Sequence, residues 1–153
     1  MMLTEDLKIR LHQKCLDFIE AKIAGVQEIL ASIADAKSKE TKSSAGDKFE
    51  TGRAMLQIEE ENHGRQLVQF YATKETLDQV GRRVTNQVIG SGNLIRTEKR
   101  RYYISAGIGK ITLDKVDYFC ISAESPIGQL LIGRQVGDEI VFNKVSDKIL
   151  EVL

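Results

Sequence analysis

Apolar residues recur at helical spacing over the first part of the chain. Leu7, Leu11, Cys15 and Phe18 lead into Ile19, Ile23, Val26, Leu30 and Ile33, in alternating steps of four and three like those of a heptad repeat. From Leu3 to about Ala36 no proline intervenes, and Ala, Glu, Lys, Leu and Gln dominate. This spacing predicts a single long helix, with two shorter helices breaking at Gly25 as the alternative. The pattern lapses in the polar run from Lys37 to Gly46, which reads as a turn. From Asp47 to about Val80 it resumes: Phe49, Leu56, His63, Leu67, Phe70 and Leu77 share one face, while Glu59, Glu60 and Glu61 solvate the other. Neither stripe can be buried alone, so residues 1–80 are expected to form an antiparallel helical hairpin with a coiled-coil seam, each arm about 50 Å long and projecting.

The period changes after Gly81. Glycines gather at positions 90, 92, 107 and 109, and short β-rich runs appear at 94–96, 101–104, 116–121, 138–142 and 148–153. Between the last three, Ser125-Pro126 opens and Gly133 closes a segment that reads as a short helix. Residues 81–153 are therefore expected to form a small α+β domain, near the lower size limit for an independent core.

Composition narrows the function classes. The 153 residues are 42% hydrophobic and carry 22 basic against 22 acidic side chains, which excludes a disordered chain and a globally basic nucleic-acid binder. No apolar run approaches the roughly 20 residues of a spanning helix. Met1-Met2-Leu3-Thr4-Glu5-Asp6 lacks the charged-then-apolar order of a signal sequence, so a soluble, cytoplasmic protein with no membrane partner is expected. Cys15 and Cys120, distant in sequence and outside any Cys/His cluster, read as ordinary buried thiols. His12 and His63 read as seam residues, and Tyr102, Tyr103, Tyr118, Phe119 and Phe142 as core.

The segment from Ile121 to Asp138 gives a strand, an acidic-Ser-Pro turn, a short helix and then Gly133-x-x-x-Gly137-Asp138. With the hairpin before it, and with Gly46-Asp47-Lys48-Phe49-Glu50 at the hairpin turn, the chain resembles the Gre family of bacterial transcription elongation factors, which promote transcript cleavage. The resemblance covers nearly the whole chain. It implies an FKBP-like C-terminal domain, and a hairpin that enters the secondary channel of RNA polymerase and stimulates the polymerase's own cleavage of backtracked transcripts. The chain itself would then be no autonomous enzyme and would have no small-molecule substrate. An FKBP-like fold also invites proline isomerisation, but that needs an aromatic-lined pocket, and this chain has no Trp and few other aromatics.

The resemblance assigns Asp47 and Glu50 to the acidic tip positions that would hold Mg²⁺ in the polymerase active centre, since carboxylate oxygens suit a hard cation. From the residues alone, Asp-x-x-Glu at a helix start reads first as a capping box, and the two roles need not exclude each other for Glu50. Phe49 stands where the family has serine, and Thr51-Gly52-Arg53-Ala54 replaces its small polar continuation, so Phe49 either wedges into a partner or staples the turn. Lys48 and Arg53, with Lys37, Lys39 and Lys42, either guide the nascent RNA or solvate the turn. Glu124, Ser125 and Pro126 resemble the family's contact with the polymerase rim, and read locally as a helix start. Arg82, Arg83, Arg96, Lys99, Arg100 and Arg101 form the densest positive segment, either a solvated hairpin turn or a contact for nucleic acid or an acidic protein surface. Two further readings stand beside the first: a non-cleaving occupant of the polymerase channel, and an interaction protein whose hairpin packs on another coiled coil.

Overall fold

The computed structural model describes residues 2–42 and 46–153, with side chains described for 2–40 and 51–153. Helix α1 (Glu5–Lys42) opens where the Thr4 hydroxyl accepts the Leu7 N–H at 3.1 Å, with Glu5 and Asp6 in the first turn favouring its positive end. It runs unbroken through Gly25 and six residues past the expected stop at Ala36. The run from Lys37 onward consists mostly of good helix formers, and Lys37 Nζ reaches Gln57 and Glu60 on the next helix, at 2.7 and 3.3 Å. Helix α2 (Gly46–Gly81) follows. Residues 43–45, within the run from Lys37 to Gly46 expected to turn, lie outside the described residues.

Six strands make one mixed sheet: β1 (Leu94–Thr97), β2 (Arg101–Ile104), β3 (Gly109–Leu113), β4 (Val116–Ile121), β5 (Glu139–Phe142) and β6 (Val145–Val152), with helix α3 (Pro126–Leu131) between β4 and β5. Their order is β3-β4-β2-β1-β6-β5, and only β2 and β4 run parallel, Tyr102 facing Phe119 and Tyr103 facing Cys120. The chain is thus α+β, as expected. Strand β3 is an addition: Gly107, Gly109 and a mostly exposed polar stretch hide it, yet Gly109, at φ +100°, opens a five-residue ladder with β4. Strand β6 begins three residues before its expected start, because Asn143 and Lys144, both at positive φ, close a two-residue hairpin that pairs Val145 with Phe142.

Contacts divide the chain into two compact units: residues 1–18 with Thr73–Leu153, and Ile19–Ala72. The expected boundary at 80/81 coincides with the end of α2, but the first turns of α1 and the last of α2 belong to the sheet's unit. Because side chains alternate along strands, the sheet has two apolar faces. One packs Ile95, Tyr102, Ile104 and Ile149 against Ile127 and Leu131 of α3. The other carries Tyr103, Tyr118 and Cys120, fully buried along with Leu11, Cys15 and Leu77 of the helices. Arg10 fixes this helical layer through two bonds to Asp114, at 2.8 and 3.0 Å, and Lys14 Nζ donates to Thr112 O at 3.2 Å. The linker after α2 is ordered by buried Asn93, whose Oδ1 accepts from Gly90 N and whose Nδ2 donates to the carbonyls of Asn86 and Leu153.

In the second unit Ile19, Ile23, Val26 and Ile33 are buried, and Leu56, His63, Leu67 and Phe70 are half-buried. Gln27 meets Tyr71 and Lys37 meets Gln57, a pairing that makes the helices antiparallel.

Candidate functional site

The turn into α3 is built by one hydroxyl. Ser125 Oγ donates to Ser122 O at 2.7 Å and accepts from Gly128 N at 3.1 Å, which satisfies an N-terminal donor of the helix and closes the turn on itself. Pro126 supplies the first helical residue with its preset φ. Gly128 packs so closely that a Cβ there would sit 2.3 Å from Ser122 O. Ile127 and Leu131 anchor the other side of α3 in the core, and Glu124 stands exposed on a backbone with little freedom to move. Of the three expected docking residues, Ser125 and Pro126 therefore perform the local capping role, and Glu124 is presented to solvent. Beyond the helix, Gly133 and Gly137 take positive φ, and Asp138 Oδ2 accepts from Gln135 N at 2.9 Å, which folds the Gly-x-x-x-Gly-Asp segment back into β5.

At the other end of the sequence pattern, residues 46–50 form the first turn of α2, so positions 47 and 50 leave the backbone on nearly the same side. The side chains of Asp47, Lys48, Phe49 and Glu50, and of Lys42, lie outside the described residues. Arg53 is exposed and its Nη1 donates to Lys37 O at 3.4 Å, while the Glu40 carboxylate lies over Gly52, 3.1 Å from where a Cβ would stand. The absence of a side chain at Gly52 leaves room for the Glu40 carboxylate.

Two buried relationships join residues that no sequence spacing connects. His12 Nδ1 lies 2.7 Å from the Tyr103 hydroxyl, the rings meeting edge-to-face, and the imidazole does not serve a helix–helix seam alone. Burial lowers the His12 pKa and Lys8 adds to the effect, against the pull of Asp78. Burial likewise pushes the Tyr103 phenol up, reinforced by Cys15 and Cys120, so a neutral phenol meets a neutral imidazole. They border a hollow of about 290 Å³ that also takes Glu5, Lys8 and Arg83. Nearby, Cys15 and Cys120 are free thiols in contact. The helical stripe marked Cys15 for burial, and strand alternation did the same for Tyr103 and Cys120. Neither pattern names the partner.

Among the described residues no group of three or more His, Cys, Asp and Glu side chains is disposed to hold a metal, and no helix is long and apolar enough to cross a membrane. No protein-family model and no curated protein matches the chain.

Proposed function

We propose that the chain acts as a Gre-like transcription elongation factor, binding RNA polymerase, inserting its helical hairpin into the secondary channel and stimulating cleavage of backtracked transcripts. The observation that carries this reading is the segment from Ile121 to Asp138. Its resemblance to the Gre C-terminal signature is matched by a local structure that suits docking: a clamped turn presenting Glu124, a short helix, and two positive-φ glycines that return the chain to the sheet. In this reading the globular domain is FKBP-like, and Glu124 is the contact to the polymerase while Ser125 and Pro126 hold it in place.

Asp47 and Glu50 would hold Mg²⁺ jointly with the polymerase, a role compatible with two positions three apart on a helical backbone. When bound there, the cation would supply a Lewis acid and an activated water for phosphodiester hydrolysis. Two carboxylates leave most of an octahedral shell to other ligands, so the chain is no enzyme on its own. Lys48 and Arg53 would lie beside the nascent RNA. The substitution of Phe49 for serine at the tip favours a second reading, in which the hairpin occupies the channel without promoting cleavage.

The test is an RNA cleavage assay on stalled, backtracked elongation complexes with Mg²⁺, comparing the unaltered chain with Asp47→Ala and Glu50→Ala, with polymerase binding measured in parallel. Cleavage lost in either variant with binding retained supports the catalytic tip. Binding without any cleavage makes the chain a channel-occupying regulator. Absence of binding overturns the proposal.

A further inference from the structure

The dense positive segment of the sequence does not end as an isolated hairpin turn. The parallel pairing of β2 with β4 brings Lys99, Arg100 and Arg101, at the start of β2, beside the turn between β3 and β4. There they share a hollow of about 400 Å³ with Lys115, Asp117 and Phe119. Within it Arg100 and Lys115 stand with one carboxylate, Asp117, while the Lys99 ammonium donates to Ser146 O at 2.5 Å and Arg101 shares the face of Tyr103 and Tyr118. Asp117 is engaged by the Thr112 hydroxyl at 2.7 Å, and the acidic neighbour Asp114 is taken by Arg10. Among the described residues Lys110 and Lys115 form no ion pair.

Three features give this surface a shape. The Arg100 guanidinium lies 4.9 Å from the centre of the Phe119 ring and also hydrogen-bonds the Tyr102 hydroxyl, which fixes the planar fork. Lys110 stands opposite Phe119 in the β3–β4 register and extends the positive surface to the sheet edge. Lys115 holds the second position of a two-residue hairpin turn at φ +65°, where glycine is the unstrained choice. Protection of an edge strand against pairing explains Lys110. It does not explain cations brought from two different hairpins to one hollow.

We propose that this groove binds the phosphodiester backbone of a nucleic-acid strand. Forked and point cations around a half-buried aromatic ring suit phosphates passing over a stacked guanidinium. An acidic protein is the weaker fit, because Val116 and Phe119 alone give the hollow less apolar surface than the centre of a protein–protein interface. The inference does not rest on polymerase binding, and its test uses the chain alone.

The experiment is fluorescence anisotropy of the full chain with a labelled single-stranded RNA of about twelve nucleotides and with duplex DNA, over a salt series, with polyglutamate as competitor. Binding is expected to weaken with salt, with a log–log slope near −2 for about three phosphate contacts on a single strand. Lys110→Glu and Lys115→Gly are each expected to lower affinity roughly five- to tenfold at low salt. Lys115→Gly removes the charge while relieving the turn, so its effect cannot come from misfolding. The double variant Lys48→Glu/Arg53→Glu should keep most of the binding. Three results would overturn the proposal: no binding at low salt, binding that survives both groove substitutions, or equal displacement by polyglutamate at matched charge. The last would reassign the groove to an acidic protein.

Discussion

Cys15 Sγ and Cys120 Sγ lie 3.4 Å apart, although 105 residues separate them in the chain. One comes from the third turn of α1 and the other from β4, and both are fully enclosed. The neighbouring Cys15 thiol and burial together push the Cys120 thiol well above its ordinary range. Thiols in such surroundings are poor nucleophiles, because only the thiolate attacks. We expect both to react with iodoacetate at least about 100-fold more slowly in the native protein than in denaturant, as followed by mass spectrometry. Rapid native labelling of either would mean that this layer opens readily.

The His12–Tyr103 pair sets a pH dependence. Burial lowers the His12 pKa in the folded protein, so folding favours the neutral ring. Stability from this source is present above the ordinary histidine pKa of about 6.5 and is lost as pH falls through it toward the folded value. The Asp114 pKa is lowered by its bonds with Arg10. At Glu151 burial opposes the shift, but Arg96 and the Leu3 N–H outweigh it and the pKa is lowered as well. These carboxylates act in a separate, more acidic window. Melting temperature should therefore drop between pH 7.5 and 5.5, and a His12→Gln variant should flatten that part of the profile. An unchanged slope in the variant would assign the drop elsewhere.

Substitutions in the α3 turn should separate architecture from docking. Gly128→Ala forces a Cβ against the Ser122 carbonyl and is expected to cost about 3 kcal/mol or more in urea unfolding. Ser125→Ala removes a cap worth about 1 kcal/mol. Exposed Glu124→Ala should change stability by no more than about 0.5 kcal/mol, so any effect on polymerase binding would belong to the contact itself.

The turn at Asp114-Lys115 makes an opposite prediction. Lys115→Gly removes a non-glycine residue from the left-handed region and should raise stability by a few tenths to about 1 kcal/mol, measured by the same unfolding experiment. A loss of stability would show that Lys115 makes a contact that outweighs its backbone strain.

The long helices were legible because their apolar period repeats over many turns, and the α3 segment because serine, proline and glycine mark its ends by local stereochemistry. Strand β3 was not, since a five-residue edge strand opened by glycine offers only Ile111 and Leu113 as an alternating apolar pair, too short a pattern to separate from a loop. The end of α1 was misplaced because Lys37 to Lys42 suits both a turn and a helix, and pairing with the second helix decides. Cys15–Cys120 and His12–Tyr103 are products of packing, which no single-segment pattern encodes. The basic groove was half legible: Arg100 stood out by the local density of charge, whereas Lys115 joins it only through the β2–β4 pairing.

Dividing the chain at its apparent junction should fail. A fragment of residues 81–153 would leave Tyr103, Tyr118 and Cys120 without the helical turns that cover them, on a domain already near the minimum size for a core. We expect it to show no cooperative thermal transition by circular dichroism and to aggregate. A fragment that melts cooperatively would show that the sheet's second face needs no cover.

The same arrangement bears on how the protein matures. Its sheet unit is assembled from the first eighteen residues and the last eighty or so, with Leu3 N–H donating to Glu151 at 3.1 Å across nearly the full sequence. During synthesis the opening turns of α1 must wait, apolar side out, until the last strand has left the ribosome. The segment from Ile19 to Ala72 can pair meanwhile. Chaperone dependence should accordingly fall on the opening turns of α1 and end only when β6 is available to pair.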